Sequence, residues 1–230
     1  KLEVFDANGK SLGTVPATKR KGINKVPWSP KIKPPKVAVG VKADYAGFMS
    51  PLCTPGEYTV KLTKGDKTVE GKIRLIEDPA SPHSKADREK QRKTAMELFA
   101  MTEDLAFLSE RVTNSMNQAR AEADSVSDKS IRKALKAYAD SMDAIRKELV
   151  ATKPGLAITG EEKIREKTSE LYAGVISYLG RPTDSQLDKL KTLQLELAAQ
   201  QSRAENIWTK QLTSLNIRLK QSGRSEIILT

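Results

Sequence analysis

The chain has 230 residues, of which 38% are hydrophobic and 30% are charged. This composition is typical of a globular protein with much helical surface, and it excludes a chain that is disordered throughout. No apolar run approaches the roughly 20 residues that a helix needs to span a bilayer. The net charge of +11 is uneven, because residues 1–80 carry 15 Lys and Arg against 8 Asp and Glu. The sequence shows no signal peptide and begins at Lys1 inside a strand-like run, which favours a piece of a longer protein.

The spacing of apolar residues changes near residue 80. Before this point apolar residues occupy every second position, as Tyr58, Val60 and Leu62 do, whereas after it they recur every three or four positions. The first spacing is typical of strands and the second of packed helices. The sequence therefore predicts an α+β protein with several domains: a β module over 1–80, a linker over 81–84 and a helical bundle over 85–230.

Within the β module we expect an immunoglobulin-like sandwich. Asn8-Gly9 favours a tight hairpin, and the proline-rich stretch 16–36 can hold only short edge strands. A last hairpin should turn across Lys64–Lys67, with Tyr58, Val60 and Leu62 on the same face as Val69, Ile73 and Leu75. Five to seven short strands in about 80 residues are typical of such a sandwich. The predicted strands are Leu2–Phe5, Ser11–Val15, Val37–Val41, Glu57–Thr63 and Thr68–Ile76, with short edge strands around Val26 and Trp28.

The helical part is predicted to be an antiparallel bundle of four helices, two long and two shorter. Because the inner pair is shorter, the ends of the outer helices should project beyond the four-helix section. The third helix has a capping box of Thr159 with Glu162, and the fourth has one of Thr183 with Gln186. The stripe of the fourth helix shifts by one position between Ile207 and Trp208, which is a stutter. The helices are expected from Ser84 or Asp87 to about Asp124, over about 128–151, from the Thr159 cap to Gly180, and from Thr183 to about Gln221.

Each helix carries an apolar stripe that should face the bundle core. The stripe of the first helix alternates spacings of three and four, as does that of the second. The predicted core positions are Leu98, Met101, Leu105, Leu108, Val112, Ser115 and Ala119 in the first helix; Ile131, Leu135, Tyr138, Met142, Ile145 and Leu149 in the second; Ile164, Thr168, Leu171, Val175 and Tyr178 in the third; and Leu187, Leu190, Leu193, Leu197, Ala204 and Ile207, then Trp208, Leu212, Leu215 and Leu219, in the fourth.

Residues that could carry chemistry are few. Cys53 is the only cysteine and is interpreted as a small buried residue, and His83 is the only histidine and is interpreted as a solvated linker residue. The sequence lacks the HExxH, CxxC, GxGxxG and P-loop patterns. The adjacent acids Glu103-Asp104 and Glu161-Glu162 could form a glycosidase pair, but on helices flanked by Lys and Arg they are interpreted as solvated surface. We therefore predict no catalytic residue, no metal site and no cofactor.

A basic arm is the best candidate for binding. Nine basic residues and no acid lie between Lys10 and Lys42, and the arm proper covers residues 19–42. Three interpretations are open: a solvated loop, a surface that docks on the rest of a parent protein, or a site for an anionic polymer such as a glycan, a phospholipid surface or nucleic acid. Nucleic acid is disfavoured because only one aromatic residue is interleaved, and Trp28 is interpreted as core rather than as a stacking platform. The candidate residues are Lys19, Arg20, Lys21, Lys25, Trp28, Lys31 and Lys33.

Four motifs in the first 80 residues resemble the C-terminal module of large bacterial BNR-repeat proteins. They are Glu3–Lys10 (EVFDANGK), Gly22–Trp28 (GINKVPW), Pro55–Leu62 (PGEYTVKL) and Ile76–Pro79 (IEDP). BNR-repeat proteins of this kind are sortilin-like β-propeller proteins, often labelled glycosyl hydrolases, in which an Ig-like domain and a helical tail follow the propeller. The chain departs from the pattern at Ala80, where Arg is expected, and after Trp28, which Ser-Pro follows.

The resemblance implies a C-terminal region whose partner is a propeller in the same polypeptide, and it implies export to the periplasm, cell surface or medium. The chain has no Asp-box of the form S-x-D-x-G-x-x-W, so any hydrolase activity would belong to the propeller. We therefore expect a non-catalytic accessory and scaffolding region. The alternatives are a module that binds anionic polymers through the basic arm, and an enzyme whose site has no recognised motif and which would need a concave pocket. The oligomeric state is open.

Overall fold

The computed structural model describes residues 1–153 and 160–230, and it confirms an α+β protein. Thr159, predicted to cap the third helix, and Pro154-Gly155 lie outside the described residues. The strands are β1 (Leu2–Phe5), β2 (Ser11–Thr14), β3 (Gly56–Lys64) and β4 (Lys67–Leu75), and a short 3₁₀ helix covers Tyr45–Phe48. The helices are α1 (Lys85–Ser125), α2 (Lys129–Leu149), α3 (Ile164–Ile176), α4 (Asp184–Ile207) and α5 (Thr213–Gln221), and a π-helical segment (Trp208–Leu212) joins α4 to α5.

The described strands form one antiparallel sheet in the order β2-β1-β3-β4, so a two-sheet sandwich is not confirmed. The strand expected at Val37–Val41 is absent, and the proline-rich stretch makes only the isolated bridge between Lys31 and Leu52. Proline lacks a backbone donor, so this stretch cannot supply a second ladder. Instead Val26, Trp28 and Ile32 cover one face of the sheet as irregular chain.

The β3–β4 hairpin has the predicted register. Tyr58 is opposite Ile73 and Leu62 is opposite Val69. A two-residue turn closes the hairpin at Gly65, whose φ of 57° suits glycine. Burial is limited to the end near Tyr58, because 49% of Leu62 and 67% of Val69 are exposed.

The starts of α1, α2 and α4 follow the predicted caps, whereas α3 begins at Ile164, after Lys163, and therefore later than the predicted Thr159–Glu162 box. The Ser84 side chain accepts from the Asp87 amide at 3.1 Å, and Thr183 and Gln186 form a capping box. Asp128 caps α2 through the amides of Ser130 and Ile131. The predicted stripes of α1 and α2 are buried throughout. The prediction was wrong for Tyr178, which lies beyond the end of α3 and is 57% exposed.

The four predicted helices are present, because α4, the π-helical segment and α5 form one continuous rod, and three of them lie side by side in cross-section. The side chain of Gln91, near the start of α1, donates to the Val175 carbonyl near the end of α3 at 2.9 Å, so α3 is antiparallel to α1. Arg218, near the end of α5, donates to Ser130 at the start of α2 at 2.8 Å. The short helices α2 and α3 therefore follow one another along the space between α1 and the α4–α5 rod. This end-to-end arrangement covers both long members, so the expected projecting ends do not form.

The predicted stutter is a π-helical segment. Its defining i+5 bond runs from the Thr213 amide to the Trp208 carbonyl. Such a segment inserts one extra residue into a helix, which lets Ile207 and Trp208 both point into the core, where they are 8% and 5% exposed. The rod keeps one buried stripe on each side of the insertion.

Candidate functional site

A groove lies between α1 and the rod formed by α4, the π-helical segment and α5. Its volume is about 760 Å³, which is within the range of roughly 300–1,000 Å³ that is typical of ligand sites. Spacings of three and four place Asp104, Phe107 and Arg111 of α1 on one face. The rod contributes Gln201, Glu205 and Trp208.

Trp208 forms the floor of this groove. The Arg111 guanidinium lies 4.3 Å from the centre of the indole ring, which is a cation–π contact worth about 0.5–2 kcal/mol. The indole N–H is buried and has no hydrogen-bond partner among the described residues. Burial raises the pKa of Tyr138, whose hydroxyl also has no hydrogen-bond partner among the described residues. The N–H edge of Trp208 therefore lies in the bundle core. The part of the indole ring that borders the groove lies next to Arg111.

The groove wall is polar and carries charges of both signs. Asp104 and Glu205 are acidic, Arg111 and Lys210 are basic, and the exposed Gln201 amide lies on the same wall. These groups can hydrogen-bond a polar backbone while Phe107, which is 49% exposed, contacts an apolar side chain. Chain separation hid this site, since α1 and α4 are about 100 residues apart, and the stutter at Trp208 was its only local signal.

A connector, defined as residues 36–49, fixes the sheet to the bundle. Asp44 and Arg165 form a buried ion pair of 3.1 Å, with side chains 3% and 4% exposed. The Asp44 carboxylate also accepts from the Ala46 amide at 3.0 Å and from the Ser169 hydroxyl. Arg165 donates a further bond to the Lys42 carbonyl. The bond from Ala46 lies within the connector, and the others hold the connector against α3.

Further contacts fix both ends of the connector. The Tyr172 hydroxyl donates to the Met49 carbonyl at 3.0 Å, and burial raises the pKa of Tyr172. Lys36 makes a 2.6 Å ion pair with Glu110 of α1. Gly40 lies against Arg165 so closely that a Cβ there would stand 1.5 Å from Nη1. The connector thus belongs to the helical core by its contacts, although it lies within the span predicted for the β module.

The predicted basic arm overlaps the connector at its C-terminal end. There the Lys36 ammonium lies 4.6 Å from the ring centre of Phe107 in the groove, and the Lys42 carbonyl accepts from Arg165. The arm's six proposed cations are exposed, and none has an ion-pair partner in residues 1–153 and 160–230. Trp28 is half-buried, with its ring centre 5.5 Å from that of Tyr58. Trp28 therefore packs against the core of the sheet, as expected. The six cations are Lys19, Arg20, Lys21, Lys25, Lys31 and Lys33.

The other residues singled out by their chemistry are packed against neighbours or hydrogen-bonded to the backbone. They are Cys53, His83 and Glu161. Cys53 is buried under the sheet, and burial raises the pKa of its thiol. His83 was expected to be solvated, but it packs edge-on against Tyr178 with ring centres 5.0 Å apart. Glu161 precedes α3 rather than lying on it, and backbone amides of Thr152 and Lys153 help to lower the pKa of its carboxyl. In the described residues no group of three or more His, Cys, Asp and Glu could hold a metal, and no helix is apolar and long enough to cross a membrane.

Comparisons with known proteins add no relative. No protein-family model, curated protein or solved structure matches the chain. The resemblance to BNR-repeat proteins therefore stays a prediction from the four motifs.

Proposed function

We propose that this chain is a non-catalytic accessory and interaction region of a larger exported BNR-repeat propeller protein, with a sheet module akin to an Ig-like domain. The observation that carries the proposal is the connector. The connector is held to the bundle by the buried Asp44–Arg165 pair and by the Tyr172 hydroxyl. A scaffold requires such a fixed link between sheet and bundle. The groove beside Trp208 is the surface that this scaffold presents to a partner.

The test uses the region encoded before Lys1. We expect that region to contain repeated Asp-boxes and, produced separately, to bind this chain with one-to-one stoichiometry in calorimetry. A sequence without Asp-boxes, or the absence of binding, would reject the propeller assignment.

A second measurement addresses catalysis. The chain should show no turnover of glycosides, peptides or esters. An enzymatic site would be expected in the groove, where Asp104 and Glu205 are the two carboxylates. Turnover that Asp104→Asn or Glu205→Gln abolishes, while the exposed control Asp140→Asn retains it, would show that the chain is an enzyme.

The basic arm favours a second function, which is binding of an anionic glycan or envelope surface. The supporting observation is that six of its cations are exposed and make no ion pair within the described residues, whereas Lys36 of the same arm pairs with Glu110. The six are Lys19, Arg20, Lys21, Lys25, Lys31 and Lys33. Contacts of this kind release counterions, so affinity falls with salt by a slope of about 0.9 per phosphate contact in the case of duplex DNA. Heparin, a highly sulfated glycan, is a suitable probe for binding measured between 50 and about 200 mM salt.

The matched variants separate the arm from net charge. Replacing Lys19, Arg20, Lys21 and Lys25 by Gln should abolish heparin binding or lower the salt slope by about 3. The control replaces four exposed helical lysines by Gln: Lys90, Lys93, Lys133 and Lys136. Equal losses in both variants would assign binding to overall charge and reject the arm.

A further inference from the structure

The C-terminal tail, defined as residues 222–230, is an extended segment that returns along α5 and α1. It lies in a channel between these helices, and the channel leads to the groove. The Asn216 side chain exchanges two hydrogen bonds with the backbone of Ile227, both 2.9 Å. The Gln118 side chain does the same for Ile228, at 2.9 and 3.0 Å. Two amide side chains therefore satisfy the tail backbone as a neighbouring strand would.

The side chains of the tail alternate as they do in a strand. Ile227 is 4% exposed within the bundle core, Ile228 is 58% exposed, and Leu229 packs against the core again. Alternation of this kind is the signature of extended backbone on a one-sided surface. The channel thus recognises an extended chain by backbone bonds and by every second aliphatic side chain.

The groove continues this channel along the same face of α1. The Asn114 side chain donates to the Thr230 hydroxyl at 3.3 Å. Continuing from Gln118 and Asn114, the next positions at spacings of three and four are Arg111, Phe107 and Asp104, and all three line the groove. The polar lining that holds the tail therefore extends past it into open space.

We propose that the groove binds an extended peptide segment of a partner polypeptide, with at least one aliphatic side chain. Phe107, which lines the groove and is 49% exposed, would contact that side chain. The amides of Gln201 and Asn206 line the groove, are exposed and have no side-chain hydrogen bond within the described residues. They would hold the peptide backbone as Gln118 and Asn216 hold the tail.

The size of the groove limits how much of the ligand it can hold. From residue 104 to residue 111, which is seven steps along the helix, α1 rises about 10 Å, and an extended chain advances about 3.3 Å per residue. This part of the groove therefore spans about three residues of an extended ligand, and a longer peptide would extend beyond it. This inference deepens the proposed interaction role by naming the class of partner, and it rests on that role but does not require a propeller.

The experiment uses a fluorescently labelled hexapeptide with the tail's own sequence, Ser225–Thr230, titrated into the full chain and followed by anisotropy. We expect saturable binding that Gln201→Ala with Asn206→Ala weakens at least tenfold. The matched control, Asn117→Ala with Gln194→Ala, removes two exposed amides elsewhere and should change the dissociation constant less than twofold.

Two outcomes would overturn the inference. One is no binding of the hexapeptide at millimolar concentration. The other is binding that ignores the groove pair and tightens with Gln118→Ala, because the peptide would then be replacing the tail rather than filling the groove. The calorimetric titration with the region encoded before Lys1 tests the propeller assignment independently. A failure of hexapeptide binding alone would therefore reject only the proposal that the groove binds a peptide.

Discussion

Removal of the Arg165 guanidinium should show how strongly the connector is held. Arg165→Met keeps the apolar stem but leaves the Asp44 carboxylate buried without its cation. Breaking a buried ion pair from one side costs about 3–5 kcal/mol. Asp44 retains the Ala46 amide and the Ser169 hydroxyl as donors, which places the expected loss near the lower end, at about 3 kcal/mol.

The assay is urea unfolding followed by far-ultraviolet circular dichroism. With an m value of about 2 kcal/mol/M, the midpoint should fall by about 1.5 M. The exposed control Arg120→Met loses only a 3.9 Å contact with Asp143 and should shift the free energy of unfolding by less than about 1 kcal/mol.

A second variant tests the cause. Asp44→Asn added to Arg165→Met removes the stranded charge and keeps an oxygen for the Ala46 amide. The double variant should therefore recover part of the lost stability. A single variant that loses less than about 1 kcal/mol, the range of an exposed pair, or a double variant no more stable than the single one would refute this account of the connector.

Three further predictions concern stability. Tyr172→Phe should lower the free energy of unfolding by about 1–2 kcal/mol, because the Tyr172 hydroxyl donates to the connector. The control Tyr138→Phe removes a buried hydroxyl without a hydrogen bond and should change the free energy of unfolding by less than about 0.5 kcal/mol. Equal losses in the two variants would show that the hydrogen bond from Tyr172 to Met49 does not stabilise the fold. Gly40→Ala should destabilise by about 1–3 kcal/mol through the clash in the connector, and Gly71→Ala, which meets open space, should be neutral or slightly stabilising in the same assay. Backbone amides lower the pKa of Asp128, so the stabilisation from its charged carboxylate is present above the unfolded pKa near 3.8 and is lost as the pH falls through the lower folded value. Asp128→Asn keeps a helix cap without the charge, so its melting temperature should fall less than that of the wild type between pH 7 and pH 3. Equal falls would show that the charged cap does not contribute.

The helices could be predicted because their signals are local. Stripes such as Leu98 to Ala119 and caps such as Thr183 depend on residues within one or two turns. The rod insertion was visible for the same reason, as a one-position shift at Trp208.

The β module was harder because its alternation is ambiguous. Val37, Val39 and Val41 alternate like a strand, yet Val39 is 92% exposed and Ala38 between them is buried against the bundle. The partner of this segment is Arg165, more than 120 positions away, and no local pattern encodes such a contact. His83 was misassigned for the same reason, since Tyr178 covers it from a distant part of the chain.

The extra residue in the Trp208–Leu212 segment also sets an angle. Each residue of an α-helix turns the chain by about 100°, so deleting one position there would rotate α5 by about that amount. Asn216 would then swing away from Ile227, whose backbone it clamps. Length changes at this point would therefore detach the C-terminal segment, while the same deletion in the solvent-exposed β3–β4 turn would disturb only its own hairpin.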